Sequence, residues 1–246
     1  MEYVKNTPNK RTVGVIVDFR LDEESKKTLS DLGINIIPTI KIPKLQEAVC
    51  GHADMMIHNI KSNKFVVAAE VYEYFSKQLI GADLIKGSKM LDYNYPDDIL
   101  YNCATVGDFV ICNAACTAIE ILSEYHSLNR RILSVKQGYS KCSICIVNDN
   151  AIITSDKSIE KICKENKIDV LSISPGYIEL KGMNYGFIGG ATGLINKNTL
   201  AVNGELNTHI DSDNIKAFCK NHRVDIIELK KGIITDVGSI LPIPPI

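Results

Sequence analysis

The chain alternates short apolar runs with polar turns in a nearly periodic way. Residues 142–147 (CSICIV) and 151–154 (AIIT) are two such runs around the turn Asn148 to Asn150. Asn and Asp tolerate tight-turn geometry, so the pattern predicts a strand hairpin. A helix from about Lys157 to Glu165 follows, then the strand VLSI and a closing Gly176. The next copy runs through GATGLI, the turn Asn196 to Asn198, LAVN, a helix from about Asp213 to Asn221, DIIEL and Gly232. At a constant offset of 56 residues Cys163 matches Cys219, Lys164 matches Lys220, Asp169 matches Asp225 and Gly176 matches Gly232. Ile159 with Ile215 and Ile162 with Phe218 extend the register. Any helix-strand pair reproduces the apolar period; the Cys-Lys pair, the turn aspartate and the closing glycine point to a repeated unit.

Two earlier copies are looser: HADMMIHN, KFVVAA, VYEYFSKQL and ADLIKG, then NCATVGD, FVICN, CTAIEILSEYH and ILSVKQG. The ends supply complementary parts, TVGVIVDF, DEESKKTLSDLG and INIIPTIKI at the start and a lone first strand, ITDVGSILPI, at the finish. The expected fold class is therefore α/β: a five-bladed α/β propeller of strand-strand-helix-strand repeats with pseudo-fivefold symmetry. Residues 1–246 form one domain in this reading, with strand 236–241 completing the blade of strand 12–18, which removes an open sheet edge. Ile159, Ile162, Ile215 and Phe218 share helix faces and are expected to be buried between each sheet and its outer helix.

Composition narrows the function. With 45% hydrophobic and 23% charged residues the chain is ordinary for a globular protein. A net charge of −1 favours neither nucleic acid nor an anionic membrane surface as partner. No segment approaches the ~18 uninterrupted apolar residues of a membrane span, and the first residues lack a signal-peptide core, so a cytoplasmic location is expected. The eight cysteines are then expected as thiols. Cys142 and Cys145 form a lone CxxC without the second pair of a four-thiolate zinc site, and on a strand they would face opposite sides. No metal or cofactor is expected.

Five such units closed into a ring resemble the pentein fold of the guanidino-group modifying enzymes: arginine deiminases, dimethylarginine dimethylaminohydrolases and amidinotransferases. VKQGYSKCS, NYGFIGGATG and DVGSILP resemble a bacterial branch of that fold lacking the usual catalytic cysteine. The resemblance implies first strands around a central channel, a nucleophilic cysteine near the C-terminus, a proton-shuttling histidine in a middle blade and carboxylates that hold the guanidinium. The cysteine position falls at about Val237, the histidine position in YSKCSI and a catalytic carboxylate position in NCATVGD; all three depart from the pattern. Asp54 matches the first-blade carboxylate.

The candidate chemistry lies in the expected channel segments. His52 and Asp54, two apart, would share a strand face, with His52 as general base and Asp54 or Asp236 as anchor for a cationic substrate. The alternative is that they hydrogen-bond a turn. Cys103 and Cys142 begin two blades; Cys142 is either a nucleophile, with Lys141 favouring its thiolate, or a core thiol. Gly186, Gly189, Gly190 and Gly193 look like a phosphate loop but do not lie between a strand and the helix it opens, so close backbone packing at the ring centre is expected. His209 reads as a surface or cap residue, and His126 and His222 as solvated. Two function classes follow: an enzyme or binder acting on a guanidino, ureido or other cationic nitrogen compound in the channel, a hydrolase or amidinotransferase if catalytic; or a non-catalytic interaction module, like the ribosome-binding initiation factor of this fold.

Overall fold

The computed structural model describes Pro8 and residues 12–244. The chain opens with β1 (Gly14–Val17), α1 (Glu23–Asp31) and β2 (Asn35–Pro38). A first full unit follows as β3 (Ile57–Lys61), β4 (Lys64–Val67), α2 (Tyr72–Gln78) and β5 (Asp83–Lys86), and a second as β6 (Ala104–Val106), β7 (Phe109–Cys112), α3 (Ile119–Ser127) and β8 (Arg131–Ser134). After a helical turn, α4 (Ser140–Ser143), come β9 (Cys145–Asn148), β10 (Ala151–Thr154), α5 (Lys157–Glu165) and β11 (Asp169–Ser172). The last unit is β12 (Thr192–Asn196), β13 (Thr199–Val202), α6 (Ser212–Asn221) and β14 (Asp225–Glu228), and β15 (Leu241–Ile243) closes the series.

These strands form five three-stranded sheets, each with one antiparallel and one parallel pairing about its central strand. β15 pairs antiparallel with β1, Gly14 opposite Ile243, so the two ends of the chain do complete one sheet. The pairing begins later than expected, at Leu241 and not at Asp236. Gly238 (φ 65°) and Ser239 (φ 72°) take left-handed backbone, which bends the chain and prevents residues 236–240 from extending as a strand. β6 lies against β9, β9 against β12 and β12 against β15. Asp54 N–H donates to Gly238 O (3.2 Å), which joins the first full unit to the closing strand and completes the circuit.

The repeated features have repeated physical causes. The Asn148 and Asn196 side chains accept from the backbone N–H two residues on, at 2.8 and 2.7 Å, and shape the same turn in both copies. Lys167 (φ 63°) and Arg223 (φ 58°) are also 56 residues apart, each left-handed just past its helix, as are Gly33 and Asn129 in other units. Ile159 and Ile215 are fully buried, as are Cys163 and Cys219 one turn on, while Ile162 and Phe218 are only partly covered.

The apolar core is not confined between each sheet and its own helix. One cluster joins Ile159 and Cys163 of α5 to Ala104, Val106 and Ile111 of the preceding sheet; another joins Ile215 and Cys219 of α6 to Cys145, Val147 and Ile153. The reason lies in the central strands. In VVAA, FVIC, AIIT and LAVN both faces are apolar, so one face packs under the helix and the other against the neighbouring sheet.

Candidate functional site

The loops that lead into the first strands converge at the ring centre. His52 and Asp54 do not share a strand face as expected: residues Ala53–Met55 form a 3-10 turn with His52 just before it. The turn nevertheless brings them together, because a ring nitrogen of His52, a carboxylate oxygen of Asp54 and Cys142 Sγ lie within 4.8 Å of one another. Cys142 lies in the helical turn α4 and not in a strand, so the expectation that Cys142 and Cys145 face opposite sides of one strand does not apply. Asp236, in the loop before β15, places Oδ1 3.9 Å from His52 Nδ1.

The hydrogen bonds define the polarity. The Cys142 thiol donates to Asp54 Oδ2 at 3.1 Å, and Ser239 Oγ donates to the same oxygen at 2.5 Å. Asn102 binds the α4 turn from both sides, accepting from Lys141 N–H (2.7 Å) and Cys142 N–H (3.2 Å) while its Nδ2 donates to Cys142 Sγ (3.1 Å). Lys141 Nζ donates to Ser239 Oγ at 3.0 Å and toward Gly189 O at 3.4 Å. The Asp236 carboxylate accepts from the N–H groups of Phe187 and Gly238, both at 2.9 Å. Asp18, at the end of β1, stands 4.0 Å from His52 Nε2 and is held by the Arg20 guanidinium through both oxygens. Among the described residues His52 Nδ1 and Asp54 Oδ1 have no hydrogen-bond partner, although both residues are only 1% exposed.

Burial raises the Cys142 thiol well above its ordinary range, and the Asp54 and Asp236 carboxylates push the same way. Cys142 is thus a protonated thiol at neutral pH. Burial likewise raises Asp236, partly offset by His52. Cys103 is held far up by burial and by the Cys112 thiol beside it, and points toward Thr117 Oγ1.

The glycines form the rear wall. A Cβ on Gly190 would stand 2.0 Å from Asp236 Oδ1, and one on Gly193 would stand 1.9 Å from Ile240 O. Close backbone packing, the role expected of this run, is what the structure shows. Beneath the cluster lies a cavity of about 90 Å³ walled by all five sheets through their channel-facing strands, among them Ile57, Cys103, Ile146, Leu194 and Leu241. Asp54 and Lys141 reach it from the polar end; His52, Cys142 and Asp236 remain behind them. Lys141, Cys103 and Asp54 therefore line the cavity, and Asp54 also belongs with His52, Cys142 and Asp236 to the buried cluster above.

Asp18, Arg20, Asn102 and Ser239 escaped the sequence reading. Ser239 lies inside the DVGSILP stretch and Asn102 beside Cys103, and Asp18 ends the first strand, a position from which side chains reach the ring centre. His209 is buried, not superficial; its Nδ1 accepts from Asp211 N–H, so it does cap a turn. His222 is half-buried against Phe218 and pairs with Asp169 at 2.9 Å, while His126 is exposed as expected.

Residues 16–241 match a family described as a family of unknown function (DUF6873). The chain belongs to DUF6873. No curated protein matches its sequence. Among solved structures, the DUF6873 chain is similar to DDAH from Pseudomonas aeruginosa in complex with citrulline, at a TM-score of 0.56 and 8% identity, over 89% of this chain and 93% of that one. It is similar to an amidinotransferase of the saxitoxin biosynthetic pathway from Microseira wollei (TM-score 0.55, 11% identity, 92% and 91% covered) and to an agmatine deiminase from C. jejuni (0.55, 8%, 92% and 90%). At such identities the likeness is one of fold, and the fold is that of the penteins. Val237, near which the resemblance to the guanidino-group modifying enzymes leads one to expect a cysteine, is partly buried against an apolar cluster with Ile240 and Leu229. Among the described residues no helix is long and apolar enough to cross a membrane.

Proposed function

We propose that the central cavity binds a small cationic nitrogen compound, of the guanidino or amine class, with Asp54 as its anchor. The observation that carries this reading is Asp54 Oδ1, a buried carboxylate oxygen without a partner on a residue that lines the cavity. A carboxylate so placed is costly unless a donor meets it, and a guanidinium or ammonium supplies charged donors in a site where attraction is strengthened relative to water. Local charge supports the sign. Among the described residues, the fixed cations placed at Asp18, Asp54 and Asp236 are Arg20, which is paired with Asp18, and Lys141, which is bonded to Ser239. By the measure in which one water needs about 10–15 Å³, the cavity has room for several waters, the size of a cationic head group.

The reading stops at binding. With valine at position 237 and Cys142 held as a thiol, no thiolate is available to attack a guanidinium carbon. The test is thermal-shift screening of the full chain with guanidine, agmatine, arginine and simple amines, followed by calorimetry on any stabilising compound. Asp54→Asn is expected to weaken that binding at least about tenfold, the loss of one charged hydrogen bond. Unchanged affinity in Asp54→Asn for every ligand found, or no ligand in either class, overturns the proposal.

A further inference from the structure

The same polar cluster, considered by its donor atoms, has a second capacity. His52, Asp54 and Cys142 present one nitrogen, one oxygen and one sulfur donor within 4.8 Å of one another, each on a residue no more than 2% exposed. Asp236 Oδ1 adds a second oxygen 3.9 Å from His52 Nδ1. We propose that His52, Asp54 and Cys142, with Asp236 as fourth ligand, bind one divalent transition-metal ion of the zinc class.

Four observations carry the assignment. Nitrogen, oxygen and thiolate sulfur are the donors a borderline-soft ion such as zinc takes, in tetrahedral sets with bonds of about 2.0–2.3 Å and ligand atoms roughly 3.5 Å apart. Cys142 Sγ and Asp54 Oδ2 are already 3.1 Å apart, and no spacing among the His52, Asp54 and Cys142 donors, all within 4.8 Å, has to close by more than about 1.3 Å. Two donor atoms, His52 Nδ1 and Asp54 Oδ1, have no hydrogen-bond partner among the described residues, which ligation to a metal would supply. An acceptor stands on the far side of the ring: with Nδ1 on the ion, Nε2–H faces Asp18 Oδ2 at 4.0 Å, about 1 Å beyond hydrogen-bond reach, and Asp18 is itself fixed by Arg20. A carboxylate behind a ligating imidazole sets its tautomer and strengthens its donation. Finally, the proton that Cys142 shares with Asp54 occupies the position between sulfur and oxygen that the ion would take. Binding exchanges it: the divalent ion gains a bond to sulfur, the S–H bond breaks, and one proton leaves to solvent.

This inference draws on the same unpartnered Asp54 Oδ1 and the same acidic neighbours as the organic-cation reading, but adds His52 and Cys142, which that reading does not use. The experiment uses the full chain after treatment with a chelator. Zinc is titrated in competition with a chromophoric chelator, and cobalt(II) is added separately as a spectroscopic substitute. One equivalent of zinc is expected, and the cobalt complex is expected to show a thiolate-to-metal charge-transfer absorption. Cys142→Ser, nearly isosteric and able to keep the Asp54 hydrogen bond, should abolish that absorption and weaken zinc at least a hundredfold. His52→Gln should weaken zinc comparably, Asp18→Asn by about 10- to 100-fold as an orienting group, and Cys116→Ser, at a half-exposed thiol away from the cluster, should leave it unchanged. Melting curves without metal establish that each variant is folded. Failure of the wild type to bind zinc, persistence of the charge-transfer absorption in Cys142→Ser, or unaltered zinc affinity in folded His52→Gln overturns the metal site. Loss of zinc in Cys142→Ser with guanidino-ligand affinity kept within twofold supports the metal site and separates its fate from that of the organic-cation reading.

Discussion

Gly190→Ala concentrates the tightest contact of the ring centre into one methyl group. The added carbon would stand 2.0 Å from Asp236 Oδ1, 2.3 Å from its Cγ and 2.5 Å from Oδ2. The backbone of residue 190 has no freedom to retreat. Its N–H donates to Cys142 O at 2.9 Å, and its carbonyl accepts from Val237 N–H at 3.0 Å and Ser239 N–H at 2.7 Å. Asp236 must therefore give way, with loss of its bonds from Phe187 and Gly238. Overpacking of this kind costs about 1–3 kcal/mol, and hydrogen bonds to a charged group about 1.5–3 kcal/mol each. A total of about 4–9 kcal/mol is expected, which at roughly 2–4 °C per kcal/mol for a chain of this size lowers Tm by about 10 °C or more. Gly232→Ala is the comparison: its φ is 82° and no atom lies within 4 Å of the added carbon, so only left-handed strain of about 1–2 kcal/mol applies. Urea titration and thermal melting of both variants decide the matter. The double variant Gly190→Ala, Asp236→Ala should be less destabilised than the sum of its parts, because the clash partner is gone. A Gly190→Ala protein melting within about 2 °C of wild type, or below which Gly232→Ala falls, would refute the packing argument.

Two other outcomes follow from the same geometry. Incubation with arginine or dimethylarginine should yield no citrulline above a heat-treated control, since valine stands near where the pentein likeness leads one to expect the nucleophile and burial pushes the Cys142 thiol up; citrulline formation well above that control contradicts both points. His58 is buried against the Tyr125 hydroxyl (2.6 Å), and burial lowers its pKa to about 3. The unfolded chain binds a proton there below about pH 6.5 and the folded chain does not, so the contribution of His58 is fully present above pH 6.5 and is lost as pH falls toward 3, at up to about 1.4 kcal/mol per pH unit. His58→Gln should flatten that slope in urea melts at pH 4–7, and an unchanged slope rules the assignment out.

The fold was legible because its causes are local and repeated. The helix 157–165 and the strand 151–154 fall where the apolar spacing and the Asn turn put them, and the 56-residue echo fixes the same helix face in two units. The convergence of His52, Asp54, Asp236 and Cys142 was legible only through the ring, which brings successive first strands to one axis. The path by which they converge was not. Asp54 is placed by a bond from its N–H to Gly238, more than 180 residues away, and Cys142 by the Asn102 side chain, 40 residues away. No periodicity carries such information, so the 3-10 turn and α4 were misread as strand. The apolar layers between neighbouring sheets were missed for a related reason: an all-apolar strand does not say which of its faces meets its own helix.

The pairing of the first strand with the last also sets an order of events during synthesis. Thr12 hydrogen-bonds Ile243 across a separation of 231 residues, beside the β1–β15 ladder. At roughly 5–20 residues per second a ribosome needs on the order of 10–50 s to make the intervening chain. For that interval β1 has β2 on one side and nothing on the other, a bare edge of the kind that recruits foreign strands. The site depends on the same late arrival, since Asp236, Gly238 and Ser239 precede β15 by only a few residues. A nascent chain thus carries four nearly complete units while its ring centre is still unmade, and the segment from Asp236 to Ile243 both seals the edge and assembles the cluster when it arrives.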